Sequence, residues 1–176
     1  PYDENTLKKY GVKKEQYFFS MCSLEPNKNF KWIAEVAKRN PDMTFAVAGS
    51  VNEKVFADGL GFECPANMKL LGYVSDAEAK TLMRDCKAFL FPTFYEGFGI
   101  PPLEAISAGA KQVVVSDTEV MHEIFGDSVC FINPMVFNLN TDDIDTSFNN
   151  DVLNKYSWAH SAMLWKYLID IWRNGK

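Results

Sequence analysis

Short apolar runs alternate with helically spaced apolar positions along most of the chain. Tyr17 to Ser23 (YFFSMCS) is continuous and β-rich, which predicts a buried strand. Phe30, Ile33, Ala34 and Ala37 then follow helical spacing until Asn40-Pro41, where proline ends the helix. Thr44 to Ala48 predicts a second strand closed by Gly49, and Met68 to Leu71 a short third. Ser75 followed by Glu78 is a capping box, so a helix starts there with Ala79, Leu82, Met83 and Cys86 on its buried face. Ala88 to Pro92, Gln112 to Ser116 and Val129 to Ile132 predict strands four to six. Short apolar strands alternating with helices specify a parallel sheet covered on both faces. The crossover rule then gives a doubly wound, Rossmann-like α/β domain with a six-stranded parallel sheet. In such sheets ligands bind outside the carboxyl ends of the strands, which directs attention to the loops after strands one and four.

The tail departs from this rhythm. Asn138 to Asn154 is polar and reads as a loop. Trp158, Ala162, Trp165, Ile169 and Trp172 then recur at heptad-like spacing on a final helix. So wide an aromatic stripe needs a surface to cover it, either its own domain or a second one.

Composition narrows the function class. The chain has 176 residues, 47% of them hydrophobic, enough for a sizeable core in one domain, or in one domain plus an appended helix. A net charge of -5 argues against a broad nucleic-acid surface, although one local anion pocket is compatible with it. Cys22, Cys64, Cys86 and Cys130 lack zinc-ligand spacing. Cys22, Cys86 and Cys130 lie in or beside apolar runs, and reduced core thiols suit a cytoplasmic setting. No apolar run is long enough to span a bilayer. The chain begins at Pro1, without a methionine, as expected of a piece of a longer protein.

The chemistry concentrates in Phe91 to Gly109 (FPTFYEGFGIPPLEAISAG). Phe91-Pro92 closes a strand and Pro101-Pro102 opens a helix, a position where proline costs nothing in hydrogen bonds. Gly97 and Gly99 let the backbone approach a ligand, and the helix N-terminus suits phosphate oxygens. Glu96 and Glu104 flank that helix end, Glu104 being read in its first turn. Carboxylates accept hydrogen bonds from sugar hydroxyls, so a sugar–diphosphate–ribose ligand fits the pattern. A glutamate in a first helical turn is also stabilising by itself, by about 0.3–1 kcal/mol. Lys28 stands near the start of the first helix, where the dipole disfavours a cation. His122 follows strand five and is a candidate to face the cleft, whereas His160 is read as structural. Asp143 to Asp145 (DID) sits in a polar loop and is read as solvated rather than as a metal motif.

Two glutamates separated by seven residues, with GFG and proline between them, resemble the motif of retaining family 4 glycosyltransferases. The similarity extends to Ser23–Phe30 (SLEPNKNF), Leu70–Glu78 (LLGYVSDAE), the HEIFGDSVCFINP stretch within Ser116–Pro134, and Tyr156–Ala162 (YSWAHSA). It covers about residues 17 to 172. The resemblance implies the GT-B architecture of two Rossmann-like domains, with residues 1–176 forming the nucleotide-sugar half. It implies that residues 156–176 form a terminal helix against an N-terminal acceptor domain outside this chain. By the same resemblance, Glu96 accepts hydrogen bonds from donor-sugar hydroxyls and Gly97, Phe98, Gly99 and Ile100 offer backbone N–H groups to sugar and diphosphate. Glu104 binds the ribose hydroxyls, and Lys28 pairs with the diphosphate and stabilises the leaving group. Tyr73 and Val74 touch the base through main-chain atoms. One departure stands out: many members carry an arginine six residues before the lysine, where this chain has Cys22.

The implied partners are a nucleotide-sugar donor and a glycan or lipid-linked acceptor, with peripheral membrane association of the full-length enzyme. The implied reaction is metal-independent hexosyl transfer without a cofactor, in polysaccharide biosynthesis. A nucleotide-sugar epimerase of the same architecture, a phosphorylase, and a non-catalytic nucleotide-binding module are the alternatives. A phosphorylase needs a cofactor lysine, for which the sequence offers no convincing candidate.

Overall fold

The computed structural model describes residues 2–3, 5–23, 25–49, 64–139 and 151–174. In chain order the elements are α1 (Thr6–Tyr10), β1 (Tyr17–Met21), α2 (Phe30–Arg39), β2 (Thr44–Ala48), β3 (Met68–Gly72) and α3 (Asp76–Asp85). They continue with β4 (Ala88–Phe91), α4 (Ile100–Ala108), β5 (Val113–Ser116), α5 (Glu119–Phe125), β6 (Cys130–Ile132), α6 (Asp151–Lys155) and α7 (Trp158–Asn174). A 3₁₀ turn, Pro26–Lys28, separates β1 from α2.

All six strands pair in parallel, in the order β3-β2-β1-β4-β5-β6. The doubly wound, Rossmann-like reading of the sequence is therefore correct. Winding runs outward in one direction from β1 and in the other from β4. The crevice between those two carboxyl ends is the topological switch point, where such sheets bind ligands.

Period-two alternation explains how one sheet builds two cores. Tyr17 and Phe19 of β1, Ala46 and Ala48 of β2, Phe89 and Phe91 of β4, and Val113 and Val115 of β5 join α3, α4 and α5 on one face. Phe18, Phe45, Val47, Leu90 and Val114 join α2 on the other. The α2 face is wider than the sequence implied, because Trp32 and Val36 are also buried. Trp32 is fully enclosed, and its indole N–H donates to the Val136 carbonyl at 2.8 Å. That bond satisfies the one polar atom on the largest buried side chain. The Ser75 capping box is present at the start of α3.

Three local readings change. Asn138 to Asn154 was expected to be loop throughout, but Asp151–Lys155 forms α6, anchored by the buried Val152. Residues 140–150 lie outside the described residues, and Asp143 to Asp145 lie among them. Of the cysteines read as core thiols, Cys86 is buried, while Cys22 and Cys130 are half-buried. Every residue of α7 is exposed, including Trp158 and Trp165. Its aromatic stripe therefore does not pack on this domain.

Candidate functional site

The site is assembled at the switch point from the loops after β1 and β4. The 3₁₀ turn after β1 presents Lys28, and the loop after β4 presents Glu96. The Lys28 ammonium donates to Glu96 Oε1 at 2.7 Å, and both side chains are largely shielded, with 20% and 15% of their surface exposed. A backbone bond ties the two loops together: Phe94 N–H donates to the Asn27 carbonyl at 2.8 Å. Asn29, the residue after the turn, adopts a left-handed conformation (φ 51°) and is 4% exposed. Its amide donates to the Pro134 carbonyl at 2.9 Å, fixing the turn against the segment after β6.

A second close approach shapes the floor. Gly49, just past β2, has φ +132°, and a Cβ there would lie 1.9 Å from the Cys22 carbonyl oxygen. The β1 and β2 ends run together because Cys22 N–H donates to Ala48 O at 3.0 Å, while Gly49 N–H donates to Gly72 O at 2.9 Å and ties the end of β2 to β3. Only glycine fits that gap.

Two cavities meet on this floor. The smaller, about 270 Å³, is lined by Met21, Cys22, Ser23, Lys28, Gly49, Phe91 and Pro101. The larger, about 690 Å³, shares Met21 and Gly49 and runs on past Tyr73, Val74, Asp76, Lys80 and Glu104. The structure thus brings Lys28 and Glu96 into contact and gathers Glu104, Tyr73 and Val74 around one hollow next door. Tyr73 is 87% exposed, whereas Val74 is buried. Cys22, at the position where many resembling sequences carry arginine, lines the Lys28 cavity. Burial pushes its thiol up to about 12, against the opposing pull of Ser20 and Lys28. A neutral thiol supplies no second cation to that hollow.

The glycine-rich segment divides its labour. Gly97 stands free, since a Cβ would meet nothing within 4 Å. Its surroundings leave space for a ligand. Gly99 caps α4 with φ +97°, and a Cβ there would press on Met121 and Phe125 at 3.1 Å. Its glycine is favoured by the positive φ and by the tight packing on α5. Ile100 is exposed as the first residue of α4. Phe98 turns the other way, meeting Tyr156 edge-on at 5.0 Å. It helps line a further hollow of about 530 Å³ with Ile100, Leu103, Glu104 and Trp158.

Glu104 is the fifth residue of α4, just past the first turn in which the sequence reading placed it. The helix dipole falls off within the first turn, so simple dipole stabilisation no longer accounts for its presence. Burial raises its carboxyl above the ordinary range, the Asp76 carboxylate pushes the same way, and Lys80 opposes both. Carboxylates set close together on a cavity wall suit a ligand that brings hydroxyl donors.

His122 lies away from these hollows. Its Nε2 is 2.7 Å from Asp117 Oδ1 and its ring stacks on Phe131 with centroids 3.8 Å apart. It lines none of the three hollows. His160 is exposed on α7, and its N–H donates to Ser157 Oγ at 3.1 Å. Among the described residues no cluster of three His, Cys, Asp or Glu side chains is placed to hold a metal. Sequence reasoning missed Tyr2, Asp76, Lys80 and Gly49 as lining residues. Only Gly49 had a local signal, as a glycine closing a strand.

The family model described as "Glycosyl transferases group 1" matches residues 3–142. O-antigen chain mannosyltransferase B of Escherichia coli is 29% identical over 136 residues, which cover 73% of this chain and 35% of that protein. O-antigen chain mannosyltransferase RfbU of Salmonella typhimurium is 30% identical over 125 residues, covering 69% and 35%. The chain thus spans about a third of the length of these curated relatives. Among solved structures, sucrose-phosphate synthase of Thermosynechococcus elongatus superposes over 99% of this chain and 50% of its own, with TM-score 0.75 at 13% identity. Anabaena Alr3699/HepE in complex with UDP and glucose superposes over 73% and 37%, with TM-score 0.57 at 19% identity. At such identities the likeness is one of fold.

Proposed function

Because the chain belongs to the group 1 glycosyltransferases, we propose that it is the donor half of a retaining family 4 enzyme of GT-B architecture. It binds a nucleoside diphosphate sugar and transfers the hexose to a glycan or lipid-linked acceptor with its anomeric configuration kept. The observation that carries this reading is the Lys28–Glu96 pair at 2.7 Å on the switch point, where the hollow lined by Lys28 shares Met21 and Gly49 with the one that reaches Glu104. Ribose at Glu104, diphosphate at Lys28 and sugar at Glu96 follow the order of groups along such a donor.

When the bond between the anomeric carbon and the diphosphate oxygen breaks, negative charge grows on the departing oxygen. The Lys28 ammonium stabilises that charge in a half-enclosed site, where electrostatics are stronger than in water. The Glu96 carboxylate accepts hydrogen bonds from sugar hydroxyls and fixes the ring. No protein residue in this scheme requires a metal ion or cofactor. Mannose is the sugar to test first, since both curated relatives described above are named as mannosyltransferases. The acceptor enters from an N-terminal domain outside this chain, onto which the exposed α7 docks. The full-length enzyme works in the cytoplasm at the membrane surface, in polysaccharide synthesis.

Calorimetry with UDP-, GDP- and ADP-sugars tests this directly. The 176-residue chain is expected to bind one of them weakly and to transfer nothing alone. Glu104→Ala and Lys28→Met should each weaken that binding by tenfold or more, about the worth of one hydrogen bond to a charged group. Equal binding by wild type and both variants sinks the site assignment.

A further inference from the structure

The donor reading assigns side chains to ribose, diphosphate and sugar but leaves the nucleobase to main-chain groups at Tyr73 and Val74. We propose that Tyr2 is the stacking platform for that base, an inference that rests on the donor reading. Tyr2 lines the same 690 Å³ cavity as Glu104 and Tyr73.

Its ring is pinned by elements far away in sequence. The hydroxyl donates to the Ala108 carbonyl at 3.0 Å, a contact spanning 106 positions. The Arg84 guanidinium lies 4.1 Å from the ring centroid. Arg84 is itself held by both oxygens of Asp85, at 2.9 and 2.7 Å. Next to Tyr2, Asp3 N–H donates to Thr81 Oγ1 at 2.9 Å, fastening the segment to α3. Tyr2 nevertheless stays 47% exposed. An aromatic ring fixed by a hydroxyl anchor and a backing guanidinium, and open on a cavity, is preorganised to receive a flat ligand.

Position along α4 says which part of the ligand it meets. Ala108 lies four residues after Glu104, on the same helix face and about 6 Å along the axis. In a nucleotide the base is attached to the carbon beside the one bearing the 2′-hydroxyl. Pro101, at the start of α4, lines the Lys28 hollow, so a donor with its diphosphate there and its ribose at Glu104 carries its base on toward Ala108 and Tyr2. Every nucleobase has a face that stacks on an aromatic ring, and such stacking is tolerant of base identity. Tyr2 accordingly contributes affinity for nucleotides in general, and the cavity's polar rim, including Asp76 and Lys80, is left to choose among them.

The test uses the 176-residue chain, calorimetry and saturation-transfer NMR with UDP, GDP and ADP. Tyr2→Ala is expected to weaken the best-binding diphosphate by about tenfold, within the range of one lost base–aromatic stack. Tyr2→Phe keeps the ring and should stay within about threefold of wild type. Tyr2→Leu keeps apolar bulk over Arg84 without the flat face and should behave as Tyr2→Ala. In the NMR experiment, saturation of base protons relative to ribose protons should drop in Tyr2→Ala and Tyr2→Leu, an effect that mere loosening of the N-terminal segment does not produce. Unchanged affinity in Tyr2→Ala, or an unchanged base-to-ribose ratio, overturns this assignment while leaving the donor site standing. Failure of the wild type to bind any of the three diphosphates overturns both.

Discussion

Gly49, Gly97 and Gly99 border the same crevice, yet the geometry demands very different responses to a single added methyl. At Gly49 the Cβ of alanine would sit 1.9 Å from the Cys22 carbonyl oxygen, about 1.5 Å inside an ordinary contact. The obstacle is backbone in a β-strand end that is itself hydrogen-bonded to Ala48, so it cannot swing aside. Overpacking of this kind costs about 1–3 kcal/mol, and holding alanine at φ +132° costs a similar amount. Gly49→Ala should therefore lose about 3–5 kcal/mol, a large share of a domain's whole stability. For a chain of this size that lowers the melting temperature by at least about 6–12 °C. Gly97→Ala meets open space and should melt within about 2 °C of wild type, while weakening nucleotide-sugar binding because the methyl enters the room left for the donor. Gly99→Ala meets only side-chain tips of Met121 and Phe125 but keeps a positive φ, and should fall between the two. Differential scanning calorimetry of the three variants, paired with donor titration, reads both consequences. A Gly49→Ala variant as stable as wild type, or a Gly97→Ala variant that unfolds early, would refute the geometric reasoning.

Three other expectations follow from charges and exposure. Glu104 accepts from hydroxyls most strongly as a carboxylate, and its raised pKa means donor binding should weaken as pH falls through a value above the ordinary carboxyl range. Asp76→Asn should move that break to lower pH and Lys80→Met to higher pH, read by calorimetric affinity against pH; shifts in the opposite sense would be fatal to the assignment. Glu78 is held down at about 2 by the Lys9 ammonium and by Ser75. A depressed carboxyl stabilises the fold above its unfolded pKa and loses that contribution as pH falls towards 2, so urea melts should weaken over that window and Glu78→Gln should flatten the slope. Since α7 is exposed throughout, a chain ending at Ser157 should melt within about 2 °C of the full 176 residues in a thermal-shift assay.

The sheet was legible because buried parallel strands write themselves as continuous apolar runs, as in YFFSM and VVVS. Strand ends shifted by a residue or two, since Met21 closes β1 where the apolar run continues to Cys22. The five-residue α1 was not read at all, because Thr6–Tyr10 carries two lysines and too few turns to show a period. Glu104 was placed in the first turn because prolines mark a helix start only approximately, and α4 begins at Ile100 ahead of them, which moves Glu104 just beyond that turn. Gly99 was read as ligand-facing, although its packing on α5 depends on Met121 and Phe125, residues no local pattern connects to it. Lys28 and Glu96 could be placed on the right loops from topology alone. Their mutual contact, across 68 positions, required the fold.

That contact has a consequence for how the crevice exchanges occupants. An ammonium has three donors, so an anion arriving at Lys28 shares it with the Glu96 carboxylate, which stands 2.7 Å away. A bare diphosphate there would set its negative charge beside a carboxylate of like sign. The pair thus disfavours an anion alone and favours a guest whose hydroxyls give Glu96 something to hold.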